Sequence, residues 1–131
     1  MTGASANLAT FPISARPAAT DLGRARKWYE ETLGLVPERE DPGGLWYHFA
    51  GETWLYLYAT PSAGTARNTI AGWEVRDIEF VIAGLRERGV TFEEYDLGEV
   101  QMIEGLADFG VAKVAWFKDS EGNTYELSEV G

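Results

Sequence analysis

Asp21-Leu22-Gly23-Arg24-Ala25-Arg26-Lys27-Trp28-Tyr29-Glu30-Glu31-Thr32-Leu33-Gly34-Leu35 decides the fold, because the chain says much the same thing again from Asp77-Ile78 to Gly89-Val90. In the first copy Asp21 can cap a helix whose apolar positions are Leu22, Ala25, Trp28, Tyr29 and Leu33, and Gly34 is its left-handed stop. In the second, Ile78, Val81, Ile82 and Leu85 fall at i, i+3, i+4 and i+7, and Gly89 closes the run. An acidic, strand-like stretch follows each: Val36-Pro37-Glu38-Arg39-Glu40, then Thr91-Phe92-Glu93-Glu94-Tyr95. Farther on, Gly51-Glu52-Thr53-Trp54-Leu55 is echoed by Gly122-Asn123-Thr124-Tyr125-Glu126. A period of about 56 to 71 residues is too long for a stacked solenoid. It suits two copies of one supersecondary unit sharing a core, with sites between the copies.

The chain has 131 residues, 45% apolar and 24% charged, with 13% aromatics including five Trp, which fits one globular domain. No run of about 18 apolar residues exists, so no membrane span is expected. Met1–Asn7 lacks the charge and apolar core of a signal peptide, and a cytoplasmic location is expected. Cysteine is absent, which removes disulfides and thiolate chemistry. A net charge of −10 makes nucleic acid and anionic membranes poor partners. The acids are spread over helices and turns, the pattern of a solvated surface.

Around the two helices the reading is as follows. Residues 1–8 form a disordered start. Ala9–Arg16 alternates as a strand with Phe11, Ile13 and Ala15 on one face, and Pro17 interrupts it. Leu45–Ala50 and Thr53–Thr60 are strands around Gly51-Glu52, Pro61–Ala66 is a turn-rich seam, and Thr69–Arg76 is the next strand. After the second helix come a strand at Val90–Tyr95, a long segment 96–110 with a lone strand near Val100–Glu104, and a hairpin of Lys113–Lys118 with Thr124–Glu129. The order is strand, helix, three strands, twice: a first βαβββ module at 9–60, a linker at 61–68 and a second module at 69–131, in one structural domain.

Three stretches resemble the vicinal oxygen chelate superfamily, the glyoxalase / bleomycin resistance protein / dioxygenase group. Asp21–Leu35 is similar to its D-L-x-x-A-x-x-F-Y-x-x-x-L-G-L helix. Trp73-Glu74-Val75-Arg76-Asp77-Ile78 is similar to its F-x-V-x-D-[IV] turn, and Trp116–Leu127 to its F-x-D-P-x-G-N-x-x-E-L ending, with Ser120 in place of the usual Pro. The resemblance implies an α+β fold: two βαβββ modules forming a curled mixed sheet around a central cavity, helices outside, in a chain that forms a homodimer. It does not imply one reaction, since members isomerise, cleave, epimerise, transfer thiols or sequester drugs. Metal-dependent members use His, Glu or Gln at positions that fall here near Ser14, Leu55, Ile70 and Glu126. Of these, Glu126 alone ligates well, so no metal and no other cofactor is expected; a divalent metal is the alternative.

Strand alternation then suggests the cavity's lining. Glu126 and Ser128 face in, with Leu55 and Leu57 as their first-module counterparts. Ile70 and Glu74 join them along the fifth strand, beside Gly72, and Ser14 and Arg16 along the first. Arg16 is the expected counter-ion of Glu74 or Glu126. Glu126 is either a relic ligand position or a general base and ligand anchor, the one catalytic candidate. His48, the only histidine, reads as a peripheral residue that aligns with Asp119. Trp28, Tyr29, Trp73 and Trp116 are expected in the core, and Trp46, Trp54, Tyr56 and Tyr58 on a pocket wall or interface. Met102, Ile103, Leu106 and Phe109 make segment 96–110 a lid or a contact with a second chain. The functional expectation is a metal-independent binder of a small, partly aromatic or apolar molecule. The alternatives are a metal-dependent lyase or dioxygenase, or a cofactor-free isomerase or hydrolase using Glu126.

Overall fold

The computed structural model describes residues 6–131. Of the start expected to be disordered, residues 1–5 lie outside the described residues, while Leu8–Thr10 form a single 3-10 turn capped by the Asn7 side chain. The first strand lies later than its apolar alternation suggests. Phe11 and Ile13 are 63% and 93% exposed, and the inward alternation is Ala15, Pro17 and Ala19, with Ala15 half-buried and the other two buried. Strand β1 (Ala18–Ala19) runs parallel to β4 (Thr53–Ala59), and the ladder reaches back through the carbonyls of Ala15 and Pro17, which accept from the N–H groups of Tyr56 and Tyr58. Pro17 removes one donor from this ladder but keeps its acceptor, a loss tolerated in an edge strand.

Asp21 caps helix α1 (Leu22–Trp28) by accepting the Arg24 N–H at 3.0 Å. The helix runs into one π turn at Tyr29–Leu33 and stops at Gly34, whose φ of 72° suits a residue without Cβ. Ala25 and Tyr29 are its buried positions. Strands β2 (Arg39–Asp41) and β3 (Gly44–Phe49) complete a four-stranded sheet in the order β1-β4-β3-β2. The second half repeats the plan. β5 (Ala71–Glu74) is followed by α2 (Ile78–Glu87), then β6 (Met102–Ile103), β7 (Leu106–Asp108), β8 (Ala112–Lys118) and β9 (Thr124–Val130), in the sheet order β5-β9-β8-β7-β6. β1 and β5 are each parallel to the last strand of their module. Segment 96–110 is therefore largely an added hairpin, turning at Glu104-Gly105 and pairing through β7 with β8, where the sequence suggests a lone strand and a loop.

The architecture is α+β with two mixed sheets, and the sheets do not close into one. A single core joins them. Leu45, Tyr47, Leu55 and Leu57 of the first sheet and Ala115, Phe117, Tyr125 and Leu127 of the second are buried with Ala25, Tyr29, Ile78 and Ile82 of the helices. Full burial of one such large side chain contributes about 1.5–3 kcal/mol. A polar knot crosses the core: the Tyr29 hydroxyl donates to Asp119 Oδ2 at 2.6 Å and accepts from Tyr125 at 2.6 Å. Asn123 Nδ2 donates to the same Asp119 oxygen and to the Ala18 carbonyl. Burial raises the pKa of Tyr29 and Tyr125, which keeps both protonated. Tyr47 beside them is pushed up to about 12 by burial, and its hydroxyl has no partner among the described residues.

Candidate functional site

Each sheet gives one face to the core and keeps the other outside it. Cross-strand pairing fixes which residues share the outer faces. On the first sheet Trp46 pairs with Tyr56, His48 with Trp54 and Gly44 with Tyr58. On the second, Trp116 pairs with Glu126, Gly72 with Glu126 and Glu74 with Ser128. Tyr56 is therefore the first-module counterpart of Glu126, and Trp46 of Trp116.

This corrects the expected lining. Leu55 and Leu57 sit on the core face, 4% and 0% exposed, packed with Ala25 and Tyr29. The repeat register drawn through Gly51 and Gly122 is off by one residue, and in a strand that slip exchanges the two faces. The same slip aligns His48 with Asp119; by pairing its counterpart is Lys118. Trp116, expected in the core, lies on the outer face with Glu126.

The first-sheet face is an array of half-buried rings. Trp46 and Tyr56 have centroids 4.3 Å apart, Trp54 meets Trp46 edge-on at 6.1 Å, and Tyr58 lies parallel to Tyr56 at 6.1 Å. His48 stacks on Trp54 at 4.3 Å, with Glu38 at 3.3 Å from its Nδ1. Two guanidiniums lie over the rings: Arg16 is 5.4 Å from the centroids of Trp46 and Tyr56, and Arg39 is 5.2 Å from Trp46 and 5.6 Å from Trp54. Asp41 holds two of the rings, Trp46 and Tyr56. Its carboxylate accepts from the Tyr56 hydroxyl at 2.8 Å, Trp46 Nε1 at 3.1 Å and the N–H groups of Gly43 and Gly44 at 2.9 Å. These bonds, that from Tyr56 foremost, lower the Asp41 pKa, and the same bond raises that of Tyr56.

The second-sheet face carries Glu74, Glu126 and Ser128 around Gly72, with Lys118 at its end. Glu126 Oε1 accepts from Trp116 Nε1 at 3.1 Å, and Tyr95 packs edge-on against Trp116 at 5.4 Å. Arg16 makes no ion pair with Glu74 or Glu126; among the described residues it lies over rings of its own sheet. Thus the structure groups Glu74, Glu126 and Ser128, and sets Arg16 among the first-sheet aromatics. Ser14 is half-buried beside the Ala15 bridge to Leu55. Ile70 packs against the core. A cleft of about 230 Å³ joins the modules where Ala15, Phe49 and Trp54 approach Gly72 and Trp73.

These positions do not fit a divalent ion. Among the described residues no three His, Cys, Asp or Glu side chains are placed to hold one. Glu126 is already bonded to an indole N–H, its counterpart Tyr56 is a phenol held by Asp41, and Ser14 and Ile70 fill the two remaining positions. The four rings lie together on one face, where the sequence suggests a pocket wall or interface; the Asp41 anchor and the Arg39 guanidinium over the rings have no counterpart in the sequence reading. Trp54, Tyr56 and Tyr58 stand at spacing two and by alternation share one face of β4, which Trp46 joins by pairing with Tyr56.

Among the described residues no helix is long and apolar enough to cross a membrane. Comparison with curated proteins gives no sequence match. Solved structures match over nearly the whole chain. One is a glyoxalase / bleomycin resistance protein from Catenulispora acidiphila, with 23% identity, TM-score 0.65, covering 93% of this chain and 100% of that one. Another is an antibiotic-binding protein from Streptomyces sp. CB03234, with 22% identity, TM-score 0.66 and coverages of 93% and 98%. A third is a bleomycin-binding protein complexed with bleomycin, with 17% identity, TM-score 0.68 and coverages of 93% and 100%. At these identities the likeness concerns the fold. The model of the Glyoxalase/Bleomycin resistance protein/Dioxygenase superfamily matches residues 17–127. With the twice-repeated sheet order and the helix, turn and hairpin motifs in register, that match means that the chain belongs to this superfamily.

Proposed function

We propose that this protein binds a small, partly aromatic molecule without a metal, against the outer face of its first sheet and the adjoining cleft. The observation that carries this reading is the array of Trp46, Trp54, Tyr56 and Tyr58, left outside the core with Trp46 and Tyr56 bonded to Asp41. Among the described residues seventeen hydrophobic side chains are buried, yet four large rings stay on one half-open face, a surface suited to stacking. Family relatives described as bleomycin-binding and antibiotic-binding make sequestration of such a molecule a reasonable role. A homodimer belongs to the same reading, with the second copy bordering the half-open face and leaving the rings to the ligand.

The test is a thermal-shift and tryptophan-fluorescence screen against flat aromatic and polyketide-like metabolites, run with and without chelator. A true ligand at a hundred times its Kd stabilises the fold by about 2.7 kcal/mol. Stabilisation that vanishes with chelator, or stoichiometric zinc, nickel, manganese or iron in protein purified without chelator, would overturn it.

A further inference from the structure

The aromatic face sets two guanidiniums over its rings, beside the carboxylates of Asp41 and Glu38, in a chain that is acidic as a whole. The protein carries 21 acidic residues and 11 Lys or Arg, a net −10, which would by itself favour cationic ligands. Yet two of the eleven, Arg16 and Arg39, stand over this one array, at 5.2–5.6 Å from three of its rings. Several other basic side chains pair with acids: Arg24 with Glu121, Arg26 with Glu40, Lys113 with Glu79 and Lys118 with Glu93. Among the described residues neither Arg16 nor Arg39 makes such a pair. The nearby carboxylate of Asp41 is engaged by four donors of its own loop and rings, which leaves both guanidiniums with donors to offer.

We infer that the ligand of this face is a flat aromatic molecule bearing an anionic group, a carboxylate or acidic phenol, with its ring against Trp46 and Trp54 and its anion met by Arg16 and Arg39. This deepens the binding role proposed above and rests on it. A guanidinium resting on a ring can swing its N–H fork to a carboxylate while its apolar plane stays against the aromatic surface, so stacking and charge recognition come from one side chain. A cation would meet two positive charges at the same place, whatever the overall field favours at a distance. The sign of charge is thus set locally by Arg16 and Arg39.

The experiment uses three probes of one ring: 2-naphthoate, neutral 2-naphthalenemethanol and cationic 2-naphthylmethylamine, titrated by tryptophan fluorescence and calorimetry at two salt concentrations. The expected result is naphthoate binding at least tenfold tighter than the alcohol, with the amine weakest and the preference reduced by salt. In Arg16→Gln and Arg39→Gln together, naphthoate should fall to within about twofold of the alcohol, while the unfolding curve is unchanged. Equal binding of all three probes, lost in Trp46→Leu, would overturn the charge inference and leave the aromatic site standing. Binding of none would defeat the aromatic site as well. If the Arg variants shift sedimentation from dimer to monomer and leave probe affinity alone, the guanidiniums serve a second copy of the chain and the inference fails.

Discussion

The carboxylate of Glu121 lies 2.8 Å from the guanidinium of Arg24 and at the same time accepts the N–H groups of Thr20 and Asp21. A residue of the last hairpin thus holds the entry to the first helix. Hydrogen bonding by Arg24, then by the Asp21 N–H and the Ser120 hydroxyl, outweighs desolvation and holds the Glu121 pKa down to about 2. Glu129 performs the corresponding task for α2, accepting from the N–H groups of Asp77 and Ile78.

Because Glu121 is more acidic folded than unfolded, its contribution is fully present above about pH 4.5 and is lost as pH falls toward about 2. Discounted for the exposed Arg24 partner, it is worth about 2 kcal/mol. Glu121→Gln should lower stability by that amount at pH 7 and flatten the acid limb between pH 4.5 and 2, read by urea unfolding across this range. An unchanged acid limb would mean that the contact does not set acid stability.

Tyr47→Phe should be neutral or stabilising by up to about 1 kcal/mol, because it removes a buried hydroxyl without a partner. Tyr29→Phe deletes the hydroxyl shared by Asp119 and Tyr125 and should cost about 1–3 kcal/mol. Matched denaturant titrations give the comparison, and equal costs would refute the polar knot.

Gly64 and Gly51 both have positive φ, 72° and 67°, but a Cβ on Gly64 would meet the Glu121 carbonyl at 2.6 Å whereas one on Gly51 meets nothing. Gly51→Ala should cost about 1 kcal/mol from backbone strain, and Gly64→Ala clearly more. Thermal melts that rank them the other way would contradict this seam between linker and hairpin.

Glu126→Gln keeps the shape and the acceptor for Trp116 Nε1, so stability should change by less than about 1 kcal/mol. Binding of an anionic aromatic on the first sheet should be unaltered. A large loss of affinity by calorimetry would move the site to the second sheet.

What the sequence made legible was local. The caps and stops at Asp21, Gly34 and Gly89 and the 3.6-residue spacing of Ile78, Val81, Ile82 and Leu85 are set by neighbours within a turn or two. The outer face of β9 could be read because Glu126 and Ser128 alternate with Tyr125 and Leu127. The face of β4 could not be read from an aligned glycine, since both alternations there, Leu55-Leu57 and Trp54-Tyr56-Tyr58, are apolar enough to be core. Only the pairing with β3 and the volume taken by Tyr29 and Ala25 separate them. The ion pair expected between Arg16 and Glu74 or Glu126 does not form, for a related reason: Arg16 lies over Trp46 and Tyr56, rings distant in the chain that opposite charge alone does not point to.

The ties from Glu121, Asn123 and Asp119 back to residues 18–29 join positions about a hundred apart in the chain. They have a kinetic consequence. Closing so long a loop precedes the reward, so the first helix lacks its final anchor until the last hairpin has been made. Refolding should be slow for a chain of this length, and the repeat, though two units in plan, should fold as one. Cut at the seam, the first half would keep its helix signals but lose the carboxylate that holds their start, and neither fragment should show a cooperative transition alone.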